Sequence, residues 1–168
     1  MIRTATLSGC ETYRYHLRRN WSGHAVTPSL LWVMLNPSTA NESIDDPTIR
    51  KCHGFTERLG FRALEVVNLF AFRATDPCEL RAAWSNGVDV VGDENDAHIQ
   101  LAMNETDRII FAWGAFSAAG VPGRARMVAN LARQAGKTPS CLGTAKDGQP
   151  RHPLMLGYST SLVPWRAP

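Results

Sequence analysis

The sequence predicts an α/β protein, a three-layer α/β/α sandwich with a central, mainly parallel sheet formed by a single domain over residues 1–168. Three apolar runs without alternation, Leu30–Leu35, Ala63–Phe70 and Arg108–Gly114, have the character of strands buried on both faces. Amphipathic segments with their own start and stop signals separate them. Each run also ends at or near a polar residue or a glycine, and ligands of open α/β sheets bind at those carboxyl ends.

Taken in order, Thr4–Leu7 and Tyr13–Leu17 alternate apolar and polar residues around Ser8–Thr12, the pattern of an antiparallel hairpin at the sheet edge. Its basic residues Arg14, His16, Arg18 and Arg19 read as a solvated face, with phosphate contact as the alternative. Trp21–Ser29, with Gly and Pro, is a surface loop. Asn36 follows the first central strand, and Pro37 both ends the ladder and confines Asn36 to extended backbone, which aims its amide. Asp46 as N-cap, Pro47 at the first helical position and Gly60 past the end delimit a helix with Ile49, Cys52, Phe55 and Leu59 on its apolar stripe. Asp45 has no capping duty and is left as a candidate polar group beside the loop.

The second central strand carries Asn68 near its end. Asp76-Pro77 starts a short helix, and Trp84–Val91 is a loop containing Asn86-Gly87. Asp93–Asn104 reads as a helix with Ala97, Ile99 and Leu101 inward. The glycine that ends Arg108–Gly114 lets a ligand or another backbone come close. An irregular stretch at Gly120–Gly123 precedes a helix from about Arg124 to Ala135, with Met127, Val128, Leu131 and Ala135 as its stripe. Thr138–Gly143 is a short fourth strand, Thr144–Pro153 a polar loop, and Leu154–Pro168 a tail over the surface.

The formal net charge is only +3, so no large non-specific nucleic-acid field is expected, while a local basic patch stays open. Met1–Leu7 lacks the apolar core of a signal peptide and no apolar run is long enough to span a bilayer, which predicts a cytoplasmic protein without a membrane partner. Glycosylation tripeptides at Asn20, Asn41 and Asn104 then have no consequence. Cys10, Cys52, Cys78 and Cys141 stand singly, without a Cys-x-x-Cys pair or a His at zinc-ligand spacing. Reduced thiols, no metal and no cofactor are therefore expected, with Cys52 a structural thiol rather than a nucleophile. Repeats, a Walker loop, a Rossmann glycine fingerprint and a nucleophile elbow are absent from the sequence.

Two central strands thus lead into asparagines. Such an amide offers two donors and two acceptors, enough to read one edge of a nucleobase or an amide-like ring. A structural asparagine bonded to backbone is the competing reading. In Thr144–Pro153, Lys146, Gln149, Arg151 and His152 lie close together, so the loop can gather donors around one anion, either a nucleic-acid phosphate or that of a single nucleotide.

Asn36-Pro37-Ser38, then Val67–Phe70 with Arg73 beyond it, then Phe111–Gly114, then Arg151-His152-Pro153 resemble, in that order, the plan of the uracil-DNA glycosylase superfamily. The resemblance implies that superfamily's fold, with Asn36 orienting the attacking water, Asn68 reading the base edge and His152 supporting negative charge on the departing base. In a hydrolase of this kind Asp45 helps to place the water, and Phe55, Phe70 or Trp113 stacks on the ring. Ser38, Thr39, Arg73, Gly114, Lys146, Gln149 and Arg151 complete the candidate substrate-binding set. The sequence departs from glycosylases at Ser38, where one branch has Gly, and at Leu154, where the second motif has Ser; it also lacks the cluster cysteines of the thermophilic branch. Longer segments, Leu35–Ala40, Asp45–Arg50, Val67–Pro77 and Lys146–Pro153, look like the signatures of a bacterial family, the domain of unknown function numbered sixteen forty-three.

Two functions follow as expectations. One is an N-glycosidic hydrolase acting on a modified base in DNA or on a nucleoside or nucleotide. The other is a non-catalytic nucleotide or nucleic-acid binding module of the same fold. Both require Asn36, Asn68 and His152 to share one cavity; three unrelated turns would scatter them.

Overall fold

In a computed structural model, which describes residues 1–115 and 123–168, the chain runs β1 (Ile2–Leu7), β2 (Arg14–Asn20), β3 (Leu30–Met34), α1 (Pro47–Arg58), β4 (Ala63–Asn68), α2 (Pro77–Ser85), α3 (Asn95–Glu105), β5 (Arg108–Phe111), α4 (Arg124–Gln134), β6 (Ser140–Cys141) and β7 (Val163–Pro164). Most of the irregular stretch expected at Gly120–Gly123 lies outside the described residues. The strands form one sheet in the order β1-β2-β4-β3-β5-β6-β7. Pairing is parallel from β4 through β3 and β5 to β6, and antiparallel at β1–β2, β2–β4 and β6–β7. The expected mainly parallel sheet is thus a mixed one whose parallel part is its centre.

All five residues of β3 are buried, because strands flank it on both sides and helices cover both faces. Leu30, Trp32 and Met34 pack with Ile49, Cys52 and Phe55 of α1, while Leu31 and Val33 pack with Leu80 of α2, Ile99 of α3 and Val128 of α4. The alternating side chains of one strand therefore enter two cores, each fully buried aliphatic residue contributing about 1.5–3 kcal/mol. Asp46 caps α1 by accepting from the Ile49 N–H at 2.8 Å, and the Asp76 cap on α2 forms a reciprocal capping box with Glu79.

Several expectations need correction. The antiparallel hairpin is at the sheet edge as expected, but its strands are longer than the alternation indicated and only β1 is outermost, with β2 between β1 and β4. Arg14 and Arg19, expected in solvent, are 2% and 1% exposed. Trp84 belongs to α2, not to a loop. Helix α3 turns Asn95, Ile99, Ala102 and Met103 inward and leaves Ala97 and Leu101 outside, because the buried Asn95 side chain bonds the β4 end and sets the phase. On α4 the buried stripe is Arg124, Val128 and Ala132, while Met127 is exposed. The fourth strand shrinks to Ser140–Cys141, and the tail adds β7 to the sheet and buries Trp165, 5.1 Å from the Phe111 ring.

Beyond the cavity side of β4, Glu65 is buried in strand pairing and accepts from the Ser29 hydroxyl at 2.9 Å, with His16 Nε2 at 2.7 Å and Arg18 at 3.8 Å. Burial pushes its carboxyl up, but His16, Ser29 and Arg18 together outweigh burial and hold it below the ordinary glutamate value. A depressed carboxyl contributes stability that is present above its unfolded value and is lost as pH falls through the folded one. Thermal unfolding followed from pH 7 downward should therefore show the wild type losing stability below the ordinary carboxylate range more steeply than Glu65→Gln. Parallel curves for the two proteins would refute this.

Candidate functional site

Met34 lies opposite Asn68 in the parallel β3–β4 register, and the pairing runs on as the Leu69 N–H donates to the Met34 carbonyl and the Phe70 N–H to the Leu35 carbonyl. Asn36 and Asn68 therefore emerge at the carboxyl ends of adjacent strands. The Asn36 Nδ2 donates to the Ala74 carbonyl at 2.8 Å and the Pro37 carbonyl at 3.1 Å, while the Ala74 N–H returns a bond to the Pro37 carbonyl. This fixes the amide and turns its Oδ1 into the group with no protein donor among the described residues.

Asn68 is held differently. Asn95 Nδ2 donates to the Asn68 and Leu69 carbonyls at 3.1 and 3.2 Å, and Arg124 Nε donates to the Leu69 carbonyl at 2.7 Å. The Asn68 Oδ1 accepts from Arg14 Nη2 at 3.3 Å, and its Nδ2 is buried without an acceptor. An unmade bond of this kind costs about 1–3 kcal/mol.

Past the end of β5, Gly114 takes φ +84°, donates its N–H to the Pro150 carbonyl at 2.9 Å and would bring an added Cβ within 3.4 Å of the His152 Cβ. Glycine there serves both the left-handed backbone and the close passage of the polar loop. His152 Nδ1 accepts from the Leu154 N–H at 3.2 Å, so the neutral imidazole carries its proton on Nε2. Burial pushes the His152 pKa down, with the Asp46 carboxylate pulling it up; the net direction is down, which favours that neutral donor.

Arg14 reaches the site from β2, donating Nη1 to the Ala40 carbonyl at 2.8 Å and leaving its Nε buried without a partner. Burial lowers its pKa to about 10, Asp46 opposes the fall, and Arg73 and Arg19 add to it, so the guanidinium stays charged at neutral pH.

These groups line one cavity of about 600 Å³, within the roughly 300–1,000 Å³ usual for small-molecule sites. Of the residues expected from sequence, Asn36, Ser38, Thr39, Asn68, Trp113, Gly114 and His152 are in its wall; Arg14 joins them from the basic strand whose alternative reading was phosphate contact, and Asp46, Thr48 and Thr75 join them unforeseen. The nearest sequence signals were the basic strand at Arg14 and the cap at Asp46, both of which have ordinary structural explanations.

Seven expected residues lie outside that wall. Asp45 is in ion pairs with Arg19 at 2.7 Å and Arg3 at 3.2 Å, which turn its carboxylate toward the hairpin. Phe70 is fully buried in the core on the side of α2, α3 and α4, and Phe55 is in the core beneath α1, so neither is a stacking platform. Arg73 donates to the Glu11 carbonyl at 3.1 Å. The polar loop does not act as one donor cluster: Lys146 and Arg151 are exposed, and Gln149 accepts from the Trp113 indole N–H at 2.8 Å. Trp113, 2% exposed and packed on Phe111 and Trp165, supplies wall rather than a free ring face.

The four cysteines are free; burial pushes the thiols of Cys52 and Cys141 up, which makes them poor nucleophiles. Among the described residues no group of three or more His, Cys, Asp or Glu side chains is placed to hold a metal ion, and no helix is long and apolar enough to cross a membrane.

Fold and site together define an α/β protein with a mainly apolar cavity, carrying a few convergent polar side chains, at the carboxyl ends of its central parallel strands. The chain belongs to the family described as Protein of unknown function (DUF1643), whose model matches residues 14–154. That span begins at Arg14 and ends at Leu154, both in the cavity wall. No curated protein and no solved structure matches the chain.

Proposed function

We propose that the protein is an N-glycosidic hydrolase acting on a modified base in DNA or on a nucleoside or nucleotide. The supporting observation is that Asn36, Asn68 and His152, remote in sequence, line one cavity, as the resemblance to uracil-DNA glycosylases implies. In this reading the free Nδ2 of Asn68 donates to an acceptor on the base edge. Water is held on the Asn36 Oδ1, and Asp46, which lines the cavity, takes the part expected of Asp45 and accepts the water proton. The water oxygen bonds to the anomeric carbon as the C–N bond breaks, and the base leaves with the electron pair. The Nε2–H of His152 stabilises that charge without first losing a proton.

A second reading, a non-catalytic binding module, is favoured by one observation: both Nδ2 protons of Asn36 serve backbone carbonyls, as in a purely structural amide.

Base release from modified-base duplexes, nucleosides and nucleotides, measured by alkaline cleavage and by chromatography, separates the two. Under the hydrolase reading His152→Ala lowers turnover by about 10²–10³-fold and changes binding little. Ligand-induced thermal stabilisation with no base release from any substrate would instead establish the binding module.

A further inference from the structure

Arg14 is 2% exposed, and among the described residues no carboxylate lies within salt-bridge distance of it. A buried cation without an ion pair is costly unless an anion completes its surroundings. Its neighbour Asn68, 1% exposed, also keeps an unpartnered donor, so two adjacent side chains share the same lack of an acceptor. The 3.3 Å bond between them is long and yields readily to a charged acceptor. The hydroxyls of Ser38, Thr39, Thr48 and Thr75 line the same cavity without hydrogen bonds to protein among the described residues. Asp46 is the acid that acts on Arg14, and its Oδ1 is committed to the Ile49 N–H.

We propose that the buried guanidinium of Arg14 seats the terminal phosphate of a free mononucleotide whose base edge is read by the neighbouring Asn68, so that the ligand is a nucleoside monophosphate rather than a base carried in a duplex. This rests on the base-binding reading of the cavity. A phosphate monoester at a chain end has three free oxygens and can pass into the cavity to a nearly unexposed side chain. A diester flanked by sugars on a duplex cannot follow it there. The exposed cations of the polar loop, Lys146 and Arg151, lie outside the wall and do not compete for that anion. The cavity volume of about 600 Å³ accommodates base, sugar and phosphate together.

The test is equilibrium binding by calorimetry with a panel of deoxynucleoside 5′-monophosphates, the matching nucleosides, inorganic phosphate and a short duplex. At least one monophosphate should bind about tenfold or more tighter than its nucleoside, and tighter than phosphate or duplex. Because Arg14→Gln can unfold the chain, Asn68→Asp is the second variant. It gives Arg14 an internal carboxylate that competes with the phosphate, so the melting temperature should hold or rise as the preference for the monophosphate over its nucleoside disappears, whatever the change at the base edge weakens in both. Nucleosides binding as tightly as their monophosphates, or the preference surviving in Asn68→Asp, overturns the proposal. Arg14-dependent nucleotide binding without base release supports it while refuting hydrolysis; base release from duplex DNA without a monophosphate preference does the reverse.

Discussion

Asn36→Ala should lower kcat for base release by about 10²-fold or more while KM changes little. The Asn36 Oδ1 is the one part of that amide with no protein partner among the described residues, and the two bonds from Nδ2 hold it at the end of β3. A water accepted there would lose its orientation when the amide is removed, whereas the ligand's contacts with Asn68 and His152 would persist. The same change removes the bonds to Pro37 and Ala74, so a stability loss on the order of 1–3 kcal/mol accompanies it. Turnover is accordingly compared at a temperature where both proteins are folded, with circular dichroism as the check. A folded Asn36→Ala variant working at the wild-type rate would rule out the water-positioning role.

Arg19→Ala should destabilise the fold by about 3–5 kcal/mol, a large part of the 5–15 kcal/mol typical of a domain. The Arg19 side chain is 1% exposed and pairs with Asp45 at 2.7 Å, while also donating to the carbonyls of Arg18 and Asn41. Its removal strands a partly buried carboxylate and several carbonyls, and releases the loop that leads from Asn36 to α1. Asp45→Asn added to Arg19→Ala should recover part of the loss, since the stranded charge is then gone. Urea unfolding of the single and double variants measures both effects, and a loss below about 1 kcal/mol for Arg19→Ala would show the network to be ornamental.

The sequence made the centre of the fold legible because its signals there are local. Leu30–Met34 carries no polar residue, and Asp46, Pro47 and Gly60 mark the limits of α1 within a few positions of where they act. The edges were less legible. Whether β2 lies at the rim or second from it depends on its pairing with β4, dozens of residues away, and that pairing buries Arg14 and Arg19. The same distance hid the site's cation. A basic strand and a basic loop look alike in sequence, yet Arg14 lines the cavity while Lys146 and Arg151 do not. That Asn36, Asn68 and His152 would meet in one cavity was readable because each stands at or after a recognisable element; that Asp46 and not Asp45 would line it was not, since this turns on which carboxylate Arg3 and Arg19 of the hairpin capture.

The placement of Trp165 bears on how the protein is made. Its indole is buried against Phe111 and Trp113, and Val163–Pro164 closes the sheet beside β6. During synthesis the hairpin leaves the ribosome before its partner β4, which follows only after the whole of β3 and α1, and the cavity wall at His152 comes later than all of these. The nascent chain therefore carries uncovered apolar strand surface until Val163–Trp165 emerges. A product terminated before Trp165 leaves Phe111 and Trp113 without their cover, and one terminated before His152 has an open cavity wall. Premature termination thus yields a sticky fragment of the kind that chaperones and proteases remove, rather than a weakened form of the protein.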